Sequence, residues 1–160
     1  MNLWEIHPAL VHFPVAFLLA GVLMDFYITM RRRQDLARVG AGLLVAGVAT
    51  GWLAAVAGIA AWFTAPHDDE AHHLMIWHPL IAAASMVAFT ALAVARWRRR
   101  AIPATTGKEV LGAVAALLMI AAAYLGGHLV YRGAAGVTGH PGDADHSGPH
   151  HHETSKAQAQ

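Results

Sequence analysis

The fold is decided by the stretch VGAGLLVAGVATGWLAAVAGIAAWF, residues 39–63, which contains no charged residue. An α-helix needs about 20 mostly apolar residues to cross the hydrocarbon core of a bilayer. Three further stretches are nearly as apolar: residues 9–30, 79–95 and 110–131. With 56% hydrophobic and only 13% charged residues, a soluble protein would lack the polar surface to cover four such helices. The sequence therefore predicts an all-α polytopic membrane protein, a bundle of four transmembrane helices.

The basic residues indicate how the bundle is oriented. They concentrate in the loop after the first helix and the loop after the third: Arg31, Arg32, Arg33, Arg38, Arg96, Arg98, Arg99, Arg100 and Lys108. Basic residues in short loops mark the cytoplasmic side of a membrane. We therefore expect a multi-pass protein of the bacterial inner (cytoplasmic) membrane with both termini non-cytoplasmic. Because these arginines lie directly at helix ends, we expect no binding of nucleic acid.

The chain divides into a transmembrane domain, residues 1–137, and a tail, residues 138–160. The tail has too little apolar content to offset the entropy of ordering, so we expect it to be disordered. Its imidazoles could bind Zn(II), Cu(II) or Ni(II); they are His140, His146, His150, His151 and His152. The chain has no cysteine, which excludes thiolate ligands and covalent haem attachment.

A weak internal repeat relates the first and third helices. His7-Pro8 opens the first helix and His78-Pro79 opens the third, and an arginine cluster follows each. The triplet Val-Ala-Phe occurs at 15–17 and again at 87–89. Either the chain contains a duplicated two-helix unit with its axis along the membrane normal, or two apolar helices resemble each other by chance.

Four histidines of the transmembrane domain cluster at its non-cytoplasmic end: His7, His12, His78 and His128. Counting about 1.5 Å per helical residue places His12 and His128 at similar depths. Short loops make the first and last helices neighbours. We therefore predict His12 with His128 as the ligand pair of a bound group, and His12 with His78 as the next choice. The alternative is that these rings are amphipathic side chains at the membrane surface.

Two further features of the apolar helices allow more than one interpretation. Gly47, Gly51 and Gly58 share one helix face, which favours close helix packing but would also give clearance to a flat macrocycle. Asp25 is a carboxylate within an apolar stretch, and it lies two turns before Arg32. We expect Asp25 to pair with the arginine cluster that contains Arg32, whose long side chains can reach along the helix. A role in proton relay is the alternative.

The segments HPALVHFPVAFLLAG, residues 7–21, and LGGHLVYRGAAGV, residues 125–137, carry a family resemblance. The chain resembles an uncharacterised bacterial membrane-protein family, a four-helix domain of unknown function with an HPxLVHFP motif and a GGxLVY motif. The resemblance covers about residues 4–137. It implies the four-helix fold and indicates that His7, His12 and Gly127 are candidate functional residues. It implies no activity.

The histidine cluster leads to three functional hypotheses. The first is a membrane-embedded protein that binds haem b through two imidazoles and transfers electrons near the periplasmic face, with a quinol or a periplasmic protein as redox partner. The second is binding or handling of Cu or Zn. The third is a non-catalytic membrane subunit of a redox complex. In each case the lipid bilayer is the immediate partner, a homo-oligomer is compatible with the sequence, and we expect no enzyme activity from the chain alone.

Overall fold

Helix accounts for almost all of the chain that the structure describes. This computed structural model describes residues 3–64, 69–98 and 106–131, with the side chains of 5–64, 75–98 and 107–131. In chain order the elements are α1 (Leu3–Leu10), α2 (His12–Arg31), a 3-10 turn (Gln34–Leu36), α3 (Ala37–Thr64), α4 (Asp69–Arg98) and α5 (Thr106–Tyr131).

Four helical segments of the described chain are long and apolar enough to cross a membrane: Glu5–Arg31, Gln34–Thr64, Met75–Arg98 and Gly107–Tyr131. Their outward faces carry large apolar side chains, including Leu23, Val56, Phe63 and Leu117, all exposed. Helices that are apolar on every face suit a lipid environment. The all-α fold with four membrane-spanning helices, predicted from hydropathy, is confirmed.

The first span is divided by a break at Val11, which separates α1 from α2. Pro14 has no N–H to donate to the carbonyl of Leu10, so the helical ladder loses a bond at this point. Hydrogen bonds from Val11 N to the carbonyl of His7, 3.1 Å, and from Val15 N to the carbonyl of Val11, 3.3 Å, carry the chain across the break. The short helix α1 packs against α3.

The third span begins earlier than its apolar stretch. Helix α4 starts at Asp69, whereas hydropathy predicts a helix over 79–95, so Pro79 lies inside the helix and not at its first position. The added turns contain Asp69 and Glu70, whose charges are favourable near a helix N-terminus. A prediction that counts only apolar residues does not detect helical turns made of polar residues.

The helices form an up-and-down bundle in which α2 contacts α3, α3 contacts α4, α4 contacts α5, and α5 contacts α2. The predicted contact between the first and last spans is therefore confirmed. The centre of the bundle is a cluster of buried side chains: Leu18, Leu44, Met86, Phe89, Leu92, Ala93, Ala115 and Met119.

Close helix packing explains the glycines of α3. A Cβ atom on Gly47 would lie 2.5 Å from Cγ of Leu18, and one on Gly51 would lie 2.6 Å from Cε of Met86. Only the absence of a side chain allows the neighbouring helices to approach this closely. The packing interpretation is confirmed for these two positions.

Candidate functional site

The first element of the candidate site is His7, which α1 directs onto α3. Nδ1 of the ring lies 2.8 Å from the backbone carbonyl of Ala54. Gly58, one turn further along α3, makes room for the ring, because a Cβ there would lie 2.9 Å from both Cε1 and Nδ1 of His7. The ring is thus held between a hydrogen bond and a glycine.

The second element is His78, whose setting on α4 and α5 is the same. Nδ1 of this ring lies 2.9 Å from the carbonyl of Ala122. A Cβ on Gly126, again one turn further along, would lie 3.0 Å from Cε1 of His78. Both rings are half-buried.

The two imidazoles lie next to each other, with ring centroids 6.3 Å apart and planes at 84°. A carbonyl oxygen only accepts hydrogen bonds, so Nδ1 must be the protonated nitrogen of each neutral ring. The lone pair is then on Nε2, and within the described residues neither Nε2 of His7 nor of His78 makes a hydrogen bond. The site therefore presents two fixed imidazoles, and among the described residues their Nε2 atoms have no hydrogen-bond partner.

Two constant offsets in sequence relate the contacts of the two rings. His78 lies 71 residues after His7, while Ala122 and Gly126 lie 68 residues after Ala54 and Gly58. The same offsets relate buried positions elsewhere, such as Leu18 with Phe89 and Gly47 with Ala115. The two halves, α1–α3 and α4–α5, thus carry equivalent contacts, as a duplicated two-helix unit would. The Val-Ala-Phe triplets are offset by 72 residues, so an alignment based on them would shift these halves by one residue.

The other two histidines of the predicted site are placed differently. His12 is exposed, and His128 is half-buried with its ring 4.5 Å from that of Tyr124. Within the described residues, no hydrogen bond or ring contact joins His12 to His128 or to His78. Ligation by either of those pairs stays a prediction.

The remaining metal-ligand predictions lie outside the described residues. These are the tail histidines, His140, His146, His150, His151 and His152. Among the side chains that the structure does describe, no group of three or more histidine or carboxylate ligands could hold a metal ion. The described site offers a pair of imidazoles.

A buried ion pair lies at the opposite end of the bundle. We call this end the arginine end, because Arg31–Arg33, Arg96 and Arg98 lie there. The end with the four histidines is called the histidine end. The carboxylate of Asp25 accepts a hydrogen bond from Nη2 of Arg96, and both side chains are buried. The expectation that Asp25 pairs with the arginine cluster of the first loop is wrong, because its partner is Arg96 of α4. Arg96 also lies 71 residues after Asp25, so this pair joins equivalent positions of the two halves.

Sequence reasoning missed the pairing of His7 with His78, but the signal was present. The repeated His-Pro dipeptide marks both rings, and a 71-residue offset applied to the lone intramembrane carboxylate leads directly to Arg96. The carbonyl partners had no such signal, because alanine backbones in an apolar helix are indistinguishable in sequence.

Comparison with known proteins agrees with the fold and adds no activity. Searches against curated proteins and against solved structures give no match. A family model for predicted membrane proteins, DUF2231, matches residues 4–139, which include all of the described bundle except Leu3 and contain both histidine–carbonyl contacts. The chain therefore belongs to the DUF2231 family of predicted membrane proteins.

Proposed function

We propose that this protein is a membrane-embedded electron carrier in which His7 and His78 would hold a b-type haem at the histidine end. The observation that carries the proposal is the matched pair of imidazoles, each with Nδ1–H bound to a backbone carbonyl. Metal-ligating histidines almost always donate this second N–H to such an acceptor, which fixes the tautomer and raises the basicity of the ligand nitrogen.

The number of imidazoles supports haem iron in particular, and their spacing suits a single metal ion. Two imidazoles that would bind one metal ion through bonds of about 2.0–2.1 Å must lie close together. The centroids of His7 and His78 are 6.3 Å apart. Haem supplies four ligands to its iron and takes one or two from the protein, whereas a tetrahedral zinc site takes three or four.

The residues around the pair would orient the ligands and not react themselves. The carbonyls of Ala54 and Ala122 fix the direction of each ring, and Gly58 and Gly126 leave the space that the rings occupy. Haem would supply one-electron chemistry, with a potential tuned by the two axial imidazoles and their burial. On the positive-inside rule the histidine end is periplasmic, so a quinol or a periplasmic redox protein would exchange electrons there.

Binding of a single Cu or Zn ion is the second candidate, because the carbonyl-held imidazole is equally typical of those sites. In that case His7 and His78 would provide two ligands, and further ligands would come from the rest of the chain or from water. The histidine-rich tail would serve to capture the ion. A non-catalytic subunit of a redox complex would use the same pair to hold the cofactor.

The experiment is an absorption spectrum of the detergent-purified protein, oxidised and reduced, with haem assay and metal analysis of the same sample. We expect a low-spin b-type spectrum and one haem per chain. One equivalent of Cu or Zn without haem would favour the second candidate. A protein that contains neither, and that does not take up haem, Cu or Zn when they are added, would contradict both.

A further inference from the structure

A crevice at the arginine end has no part in the histidine site. It is a cavity of about 140 Å³ between α2 and α5, with α4 behind it. Leu23 and Phe26 on its rim are exposed, so it opens sideways toward lipid. Its lining comprises Val22, Leu23, Asp25, Phe26, Leu92, Lys108, Glu109, Gly112 and Ala113.

The crevice exists because α5 has small residues where α2 passes it. A Cβ on Gly112 would be in ordinary contact with Leu92, 3.4 Å, and with Val22, 3.5 Å. Anything larger than a methyl group at this position would occupy the crevice. With Ala113 beside it, Gly112 leaves an apolar slot in the lipid-facing surface.

The mouth of the crevice carries one positive and one negative side chain in the first turn of α5, Lys108 and Glu109. Oε1 of Glu109 is buried and, within the described residues, has no hydrogen-bond partner. A buried acceptor without a donor is costly. Asp25 lies behind them and is already bound to Arg96. The crevice therefore contains a hydrogen-bond acceptor that has no donor, next to a cation.

We propose that this crevice binds a zwitterionic aminophospholipid from the leaflet at the arginine end. The ammonium of Lys108 binds the lipid phosphate, and the carboxylate of Glu109 turns toward the crevice and accepts a hydrogen bond from the lipid's own ammonium group. Part of one acyl chain lies in the slot beside Gly112. The polar residues are at the end of the helix and the apolar ones are deeper, which is the orientation of a lipid in that leaflet.

The charges favour this headgroup over the other common ones. A choline headgroup has a cation without N–H groups, so it gives Glu109 no hydrogen bond. A phosphatidylglycerol headgroup has no cation to place beside that carboxylate. Basic pockets between transmembrane helices on this side of a membrane bind lipid headgroups, and here the carboxylate next to the lysine selects among them.

Native mass spectrometry of the full-length protein tests this, with dioleoyl phosphatidylethanolamine, phosphatidylcholine and phosphatidylglycerol supplied in equal amounts. We expect one phosphatidylethanolamine to stay bound under conditions that remove the other two. Glu109→Gln should reduce its excess over phosphatidylcholine several-fold, and Gly112→Leu should abolish retention. The matched control is Gly42→Leu, because a Cβ on Gly42 has nothing within 4 Å.

Equal retention of the three lipids would overturn the proposal, as would equal retention by Gly112→Leu and Gly42→Leu. A co-purified quinone that Gly112→Leu loses would also overturn it and assign the crevice to that class of lipid. Glu109→Gln changes neither volume nor helix propensity appreciably, so its result decides the matter even if Gly112→Leu fails to insert.

Discussion

The four histidines at one end of the bundle have different surroundings, and those surroundings decide what each imidazole can do. His7 and His78 have Nδ1 bound to a carbonyl and a glycine beneath the ring. His12 is exposed, and the ring of His128 lies against that of Tyr124 with their planes tilted by 56°. Depth along a helix could be counted from the sequence, but the rotation that turns a ring inward could not.

The glycines under the rings give a prediction at this scale. Gly58→Ala and Gly126→Ala should each weaken binding of haem by about 10-fold or more, the usual effect of disturbing the groups that orient a metal ligand. A Cβ at either position would come within 2.9–3.0 Å of an imidazole and displace it from its carbonyl. Affinity is measured by titrating the haem-free protein and following absorbance.

Gly127→Ala is the control for that pair, because a Cβ on Gly127 would have nothing within 4 Å. Its affinity for haem should match that of the unmodified protein. If Gly126→Ala and Gly127→Ala bind haem equally well, the glycine beneath His78 has no role in the site.

At the scale of helices, glycine determines how closely two backbones approach. Helix α3 presents Gly47 to Leu18 of α2 and Gly51 to Met86 of α4, so one helix packs tightly on two neighbours. In lipid there is no hydrophobic effect to draw helices together, and close packing contributes a larger share of their association.

Gly47→Val should therefore lower the free energy of unfolding by about 1–3 kcal/mol, the usual cost of overpacking. A Cβ at this position would lie 2.5 Å from Cγ of Leu18 and 3.0 Å from its backbone nitrogen, so a change of rotamer alone cannot relieve the clash. Unfolding in mixed micelles with increasing denaturing detergent gives the measurement. Gly42→Val, on the open face of the same helix, should change stability little; equal losses in both variants would contradict the packing account.

At the scale of the whole molecule, two equivalent halves meet at both ends of the bundle. The His7 and His78 rings lie together at one end, and Asp25 binds Arg96 at the other. The two positions are equivalent in the two halves but carry opposite charges, so they attract each other and hold the halves in one register. Two identical charges there would repel.

Asp25→Leu should destabilise the protein by about 3–5 kcal/mol, because it leaves Arg96 as an uncompensated buried charge. The double variant Asp25→Leu with Arg96→Met should recover most of that loss, since no buried charge remains. Detergent-induced unfolding of the three proteins is the measurement. A double variant as unstable as the single one would show that the pair does more than neutralise its two charges.

The orientation of the whole bundle follows from its arginines and can be tested by reporter fusions. Fusions at residue 35 and residue 102 should be cytoplasmic, and a fusion at residue 140 should not be. A cytoplasmic reporter at residue 140 would reverse the topology and place the histidine end on the cytoplasmic side.

Hydropathy predicted the four spans, short loops predicted the contact between the first and last spans, and the shared helix face predicted the packing of Gly47 and Gly51. Hydropathy could not predict the inward face of each helix, because in lipid both faces are apolar and the helical period is weak. The start of α4 at Asp69 was missed for a related reason, since its first turns are polar. The contact between His7 and His78 was missed because depth favours His12, whereas the rotation of α1 brings His7 next to His78.

The central claim is that His7 and His78 form the ligand pair, and four single variants test it most directly. Oxidised and reduced absorption spectra are compared for His7→Ala, His78→Ala, His12→Ala and His128→Ala, each checked for membrane insertion. The account predicts that the first two lose the low-spin haem spectrum and that the last two keep it. Loss in His12→Ala and His128→Ala, with the spectrum intact in His7→Ala and His78→Ala, would contradict it.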